Sequence, residues 1–384
     1  MKVLYICLTS RMYGDNVALL NLLPYLCKQG VDPVIYTSHE GDFSNKLKEL
    51  GYPYISGYDV LCPGVWPSFV NLRVTFGLIR RVLLGVYRKE YKKLLATVKT
   101  IAPDLIHCNL STTTLGLQLA KDLGIPHVWH VREYGSLDHG YHQFPSKLGL
   151  QRKFNDSNTR AIFITEGIRA FYNKPRNSVA IYDGVIDPRR VSSLTTTKEK
   201  YFLYVGRLVE TKGLHTVLPT FSVFCKTHPD YVLKIAGEGA EPYMKTLHNM
   251  VNQYGLKNNV EFMGFQKDVY PYMQKATAII VPSRFEAMGF ITSEALYNGC
   301  PVIGRNTAGT KEQMDNVSDL NTIQAKVVYP YNSDDELLNS MLEVVKTSLD
   351  ITLLQELHDR VVELYNAEKS ARSVYGVYLK AMNK

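Results

Sequence analysis

Apolar runs that do not alternate with polar residues are the strongest constraint on this chain. Val3–Leu8, Pro33–Thr37, Asp104–Cys108, His127–Val131, Ala161–Ile164 and Val179–Tyr182 are largely apolar at successive positions. A strand wetted on one face alternates. A continuous run means both faces are covered, as in a parallel sheet. Helical patterns lie between these runs, at about Asp15–Gln29, Leu72–Thr100 and Thr113–Leu123, with Ser111 or Thr112 available to cap the last. Strand and helix in turn predict a doubly wound α/β sheet.

The pattern stops and starts again. Asp183-Gly184 ends the sixth run, and Asp187–Lys200 is polar with three consecutive threonines. A second series follows at Tyr201–Val205, Tyr231–Ala236, Val260–Met263, Ala278–Val281, Pro301–Ile303 and Lys326–Val328. With 384 residues, 45% hydrophobic and 21% charged, each half can bury its own core. The expected boundary falls near 184–200. A last helical stretch, Glu368–Met382, comes after the second series is complete.

Composition removes several classes of function. The six cysteines are scattered with no C-x-x-C, so neither a disulfide framework nor a zinc site is expected. The opening M-K-V-L-Y-I-C-L-T-S has no small-residue cleavage site and reads as a first strand. No run approaches the 18 apolar residues of a membrane span, so a cytoplasmic protein is expected. The net charge of +8 sits almost wholly in Asn71–Thr100, where eight basic residues face one acid. A general affinity for nucleic acid is therefore not implied. Within that stretch Leu72, Phe76, Ile79, Leu83, Val86 and Leu94 recur at helical spacing, and Arg80, Arg81, Arg88 and Lys92 lie largely on other faces. An apolar stripe beside a cationic one fits a helix lying on an anionic membrane surface, or a core-facing helix with a solvated basic side.

Chemistry concentrates between Val281 and Glu312. Glu286 and Glu294 stand eight residues apart and straddle Gly289, after an apolar run and at the start of a helical pattern, Phe290–Asn298, that Gly299 stops. The order is strand, loop, helix N-terminus. Unpaired N–H groups at such a terminus attract an anion. The two carboxylates accept from hydroxyls. A ligand both anionic and rich in hydroxyls, such as a nucleotide-sugar, satisfies both. Earlier, Y-V-G-R-L-V-E-T-K-G at 204–213 leaves a strand at its carboxyl end, where open α/β sheets bind ligands, and supplies Arg207 and Lys212 to neutralise a diphosphate.

Glu-x7-Glu within S-x-x-E-x-x-G-x-x-x-x-E-A, followed by G-x-P-V-I and preceded by G-R-L-x-x-x-K-G, resembles the retaining glycosyltransferases of family 4. The resemblance spans most of the chain and is specific mainly in its second half. It implies the GT-B fold, two Rossmann-like domains with a cleft between them. Residues 1–184 would form the acceptor-side domain, with a helix at 367–384 packing back on it, and 185–366 the donor domain. It further implies that Arg207 and Lys212 hold the diphosphate, that Glu294 accepts from the ribose, and that Glu286 contacts the transferred sugar. Gly206, Gly237, Phe265, Gly289, Phe290, Ile291 and Thr292 would complete the donor site. The family's first loop carries two glycines where this chain has Tyr13 and Gly14, so only Gly14 remains for a phosphate contact. His130 matches the strand-end histidine by the donor sugar. Val131-Arg132-Glu133 follows it in place of the family's usual Asp, which makes Arg132 and Glu133 acceptor-side candidates.

Front-face retaining transfer needs no protein nucleophile but does need fixed donors for the growing diphosphate charge. With no D-x-D in a plausible loop, neither a metal nor another cofactor is expected. The implied activity is sugar transfer to a lipid-linked saccharide in bacterial surface polysaccharide synthesis, at the inner face of the membrane. A nucleotide-sugar 2-epimerase of the same fold and a non-catalytic scaffold remain as alternatives. A dinucleotide oxidoreductase does not, because no G-x-G-x-x-G follows the opening strand.

Overall fold

A computed structural model describes residues 1–58, 60, 65–67, 85–143, 146–187, 192–322 and 325–382. The chain divides into two compact units. The first joins Met1–Gly184 to Ala367–Lys384, and the second is Val185–Asn366.

The first unit is built on a seven-stranded parallel sheet. Its strands are β1 (Lys2–Cys7), β2 (Asp32–Thr37), β3 (Tyr54–Ile55), β5 (Leu105–Cys108), β6 (His127–Val131), β8 (Thr159–Phe163) and β9 (Ser178–Ala180), and β4 (Val65–Pro67) pairs apart from it with β7 (Tyr141–Gln143), antiparallel. The spatial order is β3-β2-β1-β5-β6-β8-β9. Nearly every residue of β1, β5 and β6 is buried, which is why these strands read as unbroken apolar runs. The Gly14–Lys28 helix packs on the terminal Ala367–Met382 helix, and both share one core with β1. Leu19, Leu22, Leu23 and Leu26 meet Ala371, Val374, Tyr378 and Ala381 there.

The second unit has six parallel strands: β10 (Glu199–Val205), β11 (Val232–Ala236), β12 (Val260–Gly264), β13 (Ala276–Val281), β14 (Val302–Arg305) and β15 (Val328–Tyr331). Their order is β12-β11-β10-β13-β14-β15. Going outward from β10, strand order runs one way through β11 and the other through β13. The loops leaving β10 and β13 therefore diverge at the carboxyl edge and leave a crevice where such sheets bind ligands. The first unit has the equivalent point between β1 and β5.

Several boundaries differ from those read in the sequence. β15 starts at Val328, and β3, β4 and β7 are too short to leave a periodic signal. The helix expected from Thr113 starts at Leu115, and Ser111 does not cap it. The Ser111 N–H and hydroxyl instead donate to the buried Glu133 carboxylate, at 2.7 and 2.9 Å. A buried carboxyl group needs such donors, because water cannot supply them. Of the expected Leu72–Thr100 helix, Val86–Ile101 is described, and residues 68–84, with Arg80 and Arg81, lie outside the described residues. Arg88 and Lys92 are exposed, while Leu94 and Val98 are buried. No helix among the described residues is long and apolar enough to cross a membrane.

Candidate functional site

Backbone contacts staple the loops of the second unit together. Gly206 donates to Ala236 O at 3.0 Å, Leu208 to Glu238 O at 2.8 Å, and Gly237 to Gly264 O at 2.8 Å. Gly237 has φ +150°, and a Cβ there would lie 1.9 Å from Gly206 O, so only glycine lets these loops close. Tyr204 Oη donates to Arg207 O at 3.1 Å and fixes the turn from which the exposed Arg207 side chain leaves. Phe265 follows β12 and is 71% exposed.

The loops after β10 and β13 meet through a charged pair. Lys212 lies in a single 3-10 turn, Glu210–Lys212, and its Nζ donates to Glu286 Oε1. Their side chains are 26% and 14% exposed, which leaves the pair partly screened from water. Gly289 takes φ +78° immediately before the Phe290–Tyr297 helix and lies against Glu286, where a Cβ would come within 3.2 Å of the Glu286 stem. This left-handed turn brings the loop acid beside the helix N-terminus. Phe290, Ile291 and Thr292 form the first turn, and Glu294 follows within the same helix, half-buried. Glu286, Lys212 and the first-turn N–H groups of Phe290–Thr292 thus share one corner of the unit.

One residue outside the motif holds this corner. Gln313 Nε2 donates to Met288 O, and to Gly289 O and Gly309 O at 3.1 and 3.2 Å, while Gly309 N donates to Glu286 O at 2.9 Å. Gln313 is fully buried on the Ala308–Asp315 helix. The motif read in the sequence ends at Glu312. The only hint of Gln313 was its place on the helix that follows the next strand.

In the first unit the candidates fall at the carboxyl ends of β1 and β6. Gly14 is exposed and opens its helix, whose N-cap Tyr13 gives no side-chain cap. His130 is 1% exposed on β6. Arg132 and Glu133, expected to face an acceptor, are instead buried with intramolecular partners, because a charge this far from water needs them. The Arg132 guanidinium donates to Asp183 Oδ1, to Asn109 O at 3.2 Å, to Asn109 Oδ1 at 3.3 Å and to His130 Nδ1 at 3.2 Å. Glu133 accepts from Ser111 and from Arg132 N at 3.0 Å. Burial holds His130 well below its usual pKa, and the Arg132 charge adds to this, so the imidazole is neutral. Asp183 is raised by burial, against the pull of Arg132. Asn109 and Asp183 carried no motif in the sequence.

Residues 186–362 match the family model described as glycosyl transferases group 1. An uncharacterized glycosyltransferase of Haemophilus influenzae is 29% identical over 32% of this chain and 34% of its own. An uncharacterized glycosyltransferase of Methanocaldococcus jannaschii is 26% identical over 93% of each chain. The chain spans 34% to 57% of the length of the first three curated relatives it matches. The crystal structure of Anabaena HepE in complex with UDP has a TM-score of 0.76 at 16% identity, over 99% of this chain and 100% of that one. At that identity the likeness is one of fold. Residues 186–362 are thus similar to the group 1 glycosyl transferases, and the two parallel sheets have the GT-B fold.

Proposed function

We propose that the protein is a retaining glycosyltransferase that moves a sugar from a nucleoside-diphosphate sugar to a lipid-linked saccharide in bacterial surface polysaccharide synthesis. The observation that carries this is the corner where Lys212 meets Glu286 beside the Phe290–Tyr297 helix N-terminus, at the sheet's switch point. A diphosphate there meets Lys212, Arg207 and the N–H groups at the start of the helix, Phe290 and Ile291, while the Thr292 N–H donates to Gly289 O at 3.2 Å. Glu286 is then free to accept from the sugar hydroxyls, and Glu294 from the ribose. The bond from the sugar's anomeric carbon to the diphosphate breaks as the acceptor oxygen attacks from the same face, and the acceptor proton leaves with the diphosphate. These cations and N–H groups stand ready for the charge that grows on the leaving group, so no metal is required. The UDP bound to Anabaena HepE supports a uridine nucleotide as the first donor to try. Gly14 adds a phosphate contact and His130 a contact to the sugar. The exposed Arg88 and Lys92, with Arg80 and Arg81, hold the enzyme on the anionic inner face of the cell membrane.

Steady-state kinetics test the reading, in excess EDTA and with a lipid-linked acceptor extract. Arg207→Ala and Lys212→Ala should each lower kcat by about 10²–10³ while moving the donor KM less. Near-normal kcat in both rejects the site. Loss of wild-type transfer in EDTA, restored by magnesium or manganese, rejects the metal-free mechanism.

A further inference from the structure

His130 sits among charges that leave its ring a single protonation pattern. Arg132 Nη2 lies 3.2 Å from His130 Nδ1. A guanidinium only donates, so Nδ1 must present its lone pair. A neutral ring that accepts at Nδ1 carries its hydrogen at Nε2. Asp183 and Asn109 hold the guanidinium in place from two other sides, so Arg132 cannot turn away. His130 Nε2 is buried and has no hydrogen-bond partner among the described residues, and the nearest carboxylate oxygen, Asp183 Oδ1, is 3.8 Å away. The other ring close by, His107, stands 5.4 Å off between centroids, and its Nδ1 is taken by Tyr378 Oη at 2.5 Å.

We infer that Arg132, braced by Asp183 and Asn109, is a positioning residue that locks His130 as the Nε2–H tautomer, so that His130 gives a hydrogen bond to a ligand oxygen and does not take up a proton. A buried N–H with no partner, at the carboxyl end of a parallel strand, is poised for such an oxygen. The acceptor class is a hydroxyl or phosphoryl oxygen. The tautomer stands on this chain's geometry alone. Its use on a sugar nucleotide rests on the glycosyltransferase reading.

Two measurements separate these parts. The first is long-range proton–nitrogen correlation on histidine-labelled protein at pH 7, with His130→Gln to assign the signal. The wild type should show Nε2 protonated and Nδ1 bare. In Arg132→Met/Asp183→Asn, which removes the guanidinium without stranding a buried carboxylate, a fraction protonated at Nδ1 should appear. A wild-type ring protonated at Nδ1, or at both nitrogens, overturns the inference, as does an unchanged tautomer in the double variant. The second measurement is turnover. Gln places an amide N–H near the position of Nε2 but cannot act as a base. His130→Gln should stay within about tenfold of wild type in kcat, and His130→Phe should lose about 10²-fold or more. Equal losses in the two overturn the donor role. If the wild type turns over no donor at all, the glycosyltransferase reading fails, and the spectrum alone decides the tautomer.

Discussion

Glu133 is a carboxylate held away from water by the fold around it. Burial, and then the charge of Asp138, push it up to about 7, against the hydrogen bonds from Ser111. Between its ordinary value and that raised one, the folded protein keeps a proton that the unfolded chain has already lost. The unfolded state binds fewer protons there, so stability falls as pH rises across that window. Glu133→Gln removes the titration. Urea unfolding should show the variant gaining on the wild type between pH 5 and pH 8, and a constant difference would contradict the shift. Glu286 and Glu294 should fail in different ways. Glu294→Gln should weaken binding of the free nucleoside diphosphate in calorimetry. Glu286→Gln should spare that binding and cripple transfer, and equal weakening in both rejects the division of roles. These two acids were legible in the sequence because each is tied to a nearby turn, Glu286 to Gly289 and Glu294 to the helix that Gly289 opens. Arg132 and Asp183 were not legible as a pair. They lie 51 residues apart on separate strand ends, and only the folded sheet makes them neighbours.

Among the elements, the long parallel strands were readable for a physical reason: burial on both faces leaves a run of apolar residues without gaps. The same logic failed for β3, β4 and β7, of two or three residues each, which hold no period to read. It also shifted β15, where Lys326 looked like a strand residue but pairing begins at Val328. The corner around Gly289 was visible as strand, loop and helix. Its clamp from the Ala308–Asp315 helix was not, since a lone Gln in a polar stretch carries no pattern. The Val86–Ile101 helix shows a divided surface, with Leu94 and Val98 inward and Arg88, Lys89, Lys92 and Lys99 exposed. Each cation near an anionic bilayer contributes about 1 kcal/mol, and salt screens the effect within a Debye length. Changing Arg80, Arg81, Arg88 and Lys92 to Gln should therefore abolish sedimentation with anionic liposomes and leave nucleoside diphosphate binding unchanged. Wild-type protein that ignores such liposomes at low salt rules out the membrane role.

At the scale of the molecule, the first unit is discontinuous and the second is not. The terminal Ala367–Met382 helix is no appendage. Ala371, Val374 and Ala381 are buried, and Tyr378 Oη reaches both His107 Nδ1 and, at 3.1 Å, Tyr5 Oη. Deleting residues 367–384 should thus open the first unit selectively. Hydrogen exchange should show protection lost in β1, β5 and the Gly14–Lys28 helix but kept in β10 and β13. Uniform loss in both units would mean that they do not fold separately. The chain order has a further meaning during synthesis. A ribosome completes all six strands of the second unit in one continuous stretch, so that unit can close while translation still runs. The first unit, though made earlier, waits with Leu19, Leu22 and Leu26 uncovered until Ala367–Met382 has been made. A chain cut short before Ala367 would carry a finished second unit joined to a sticky, half-made first one, so chaperones and proteases would meet exposed core mainly in the half that was made first.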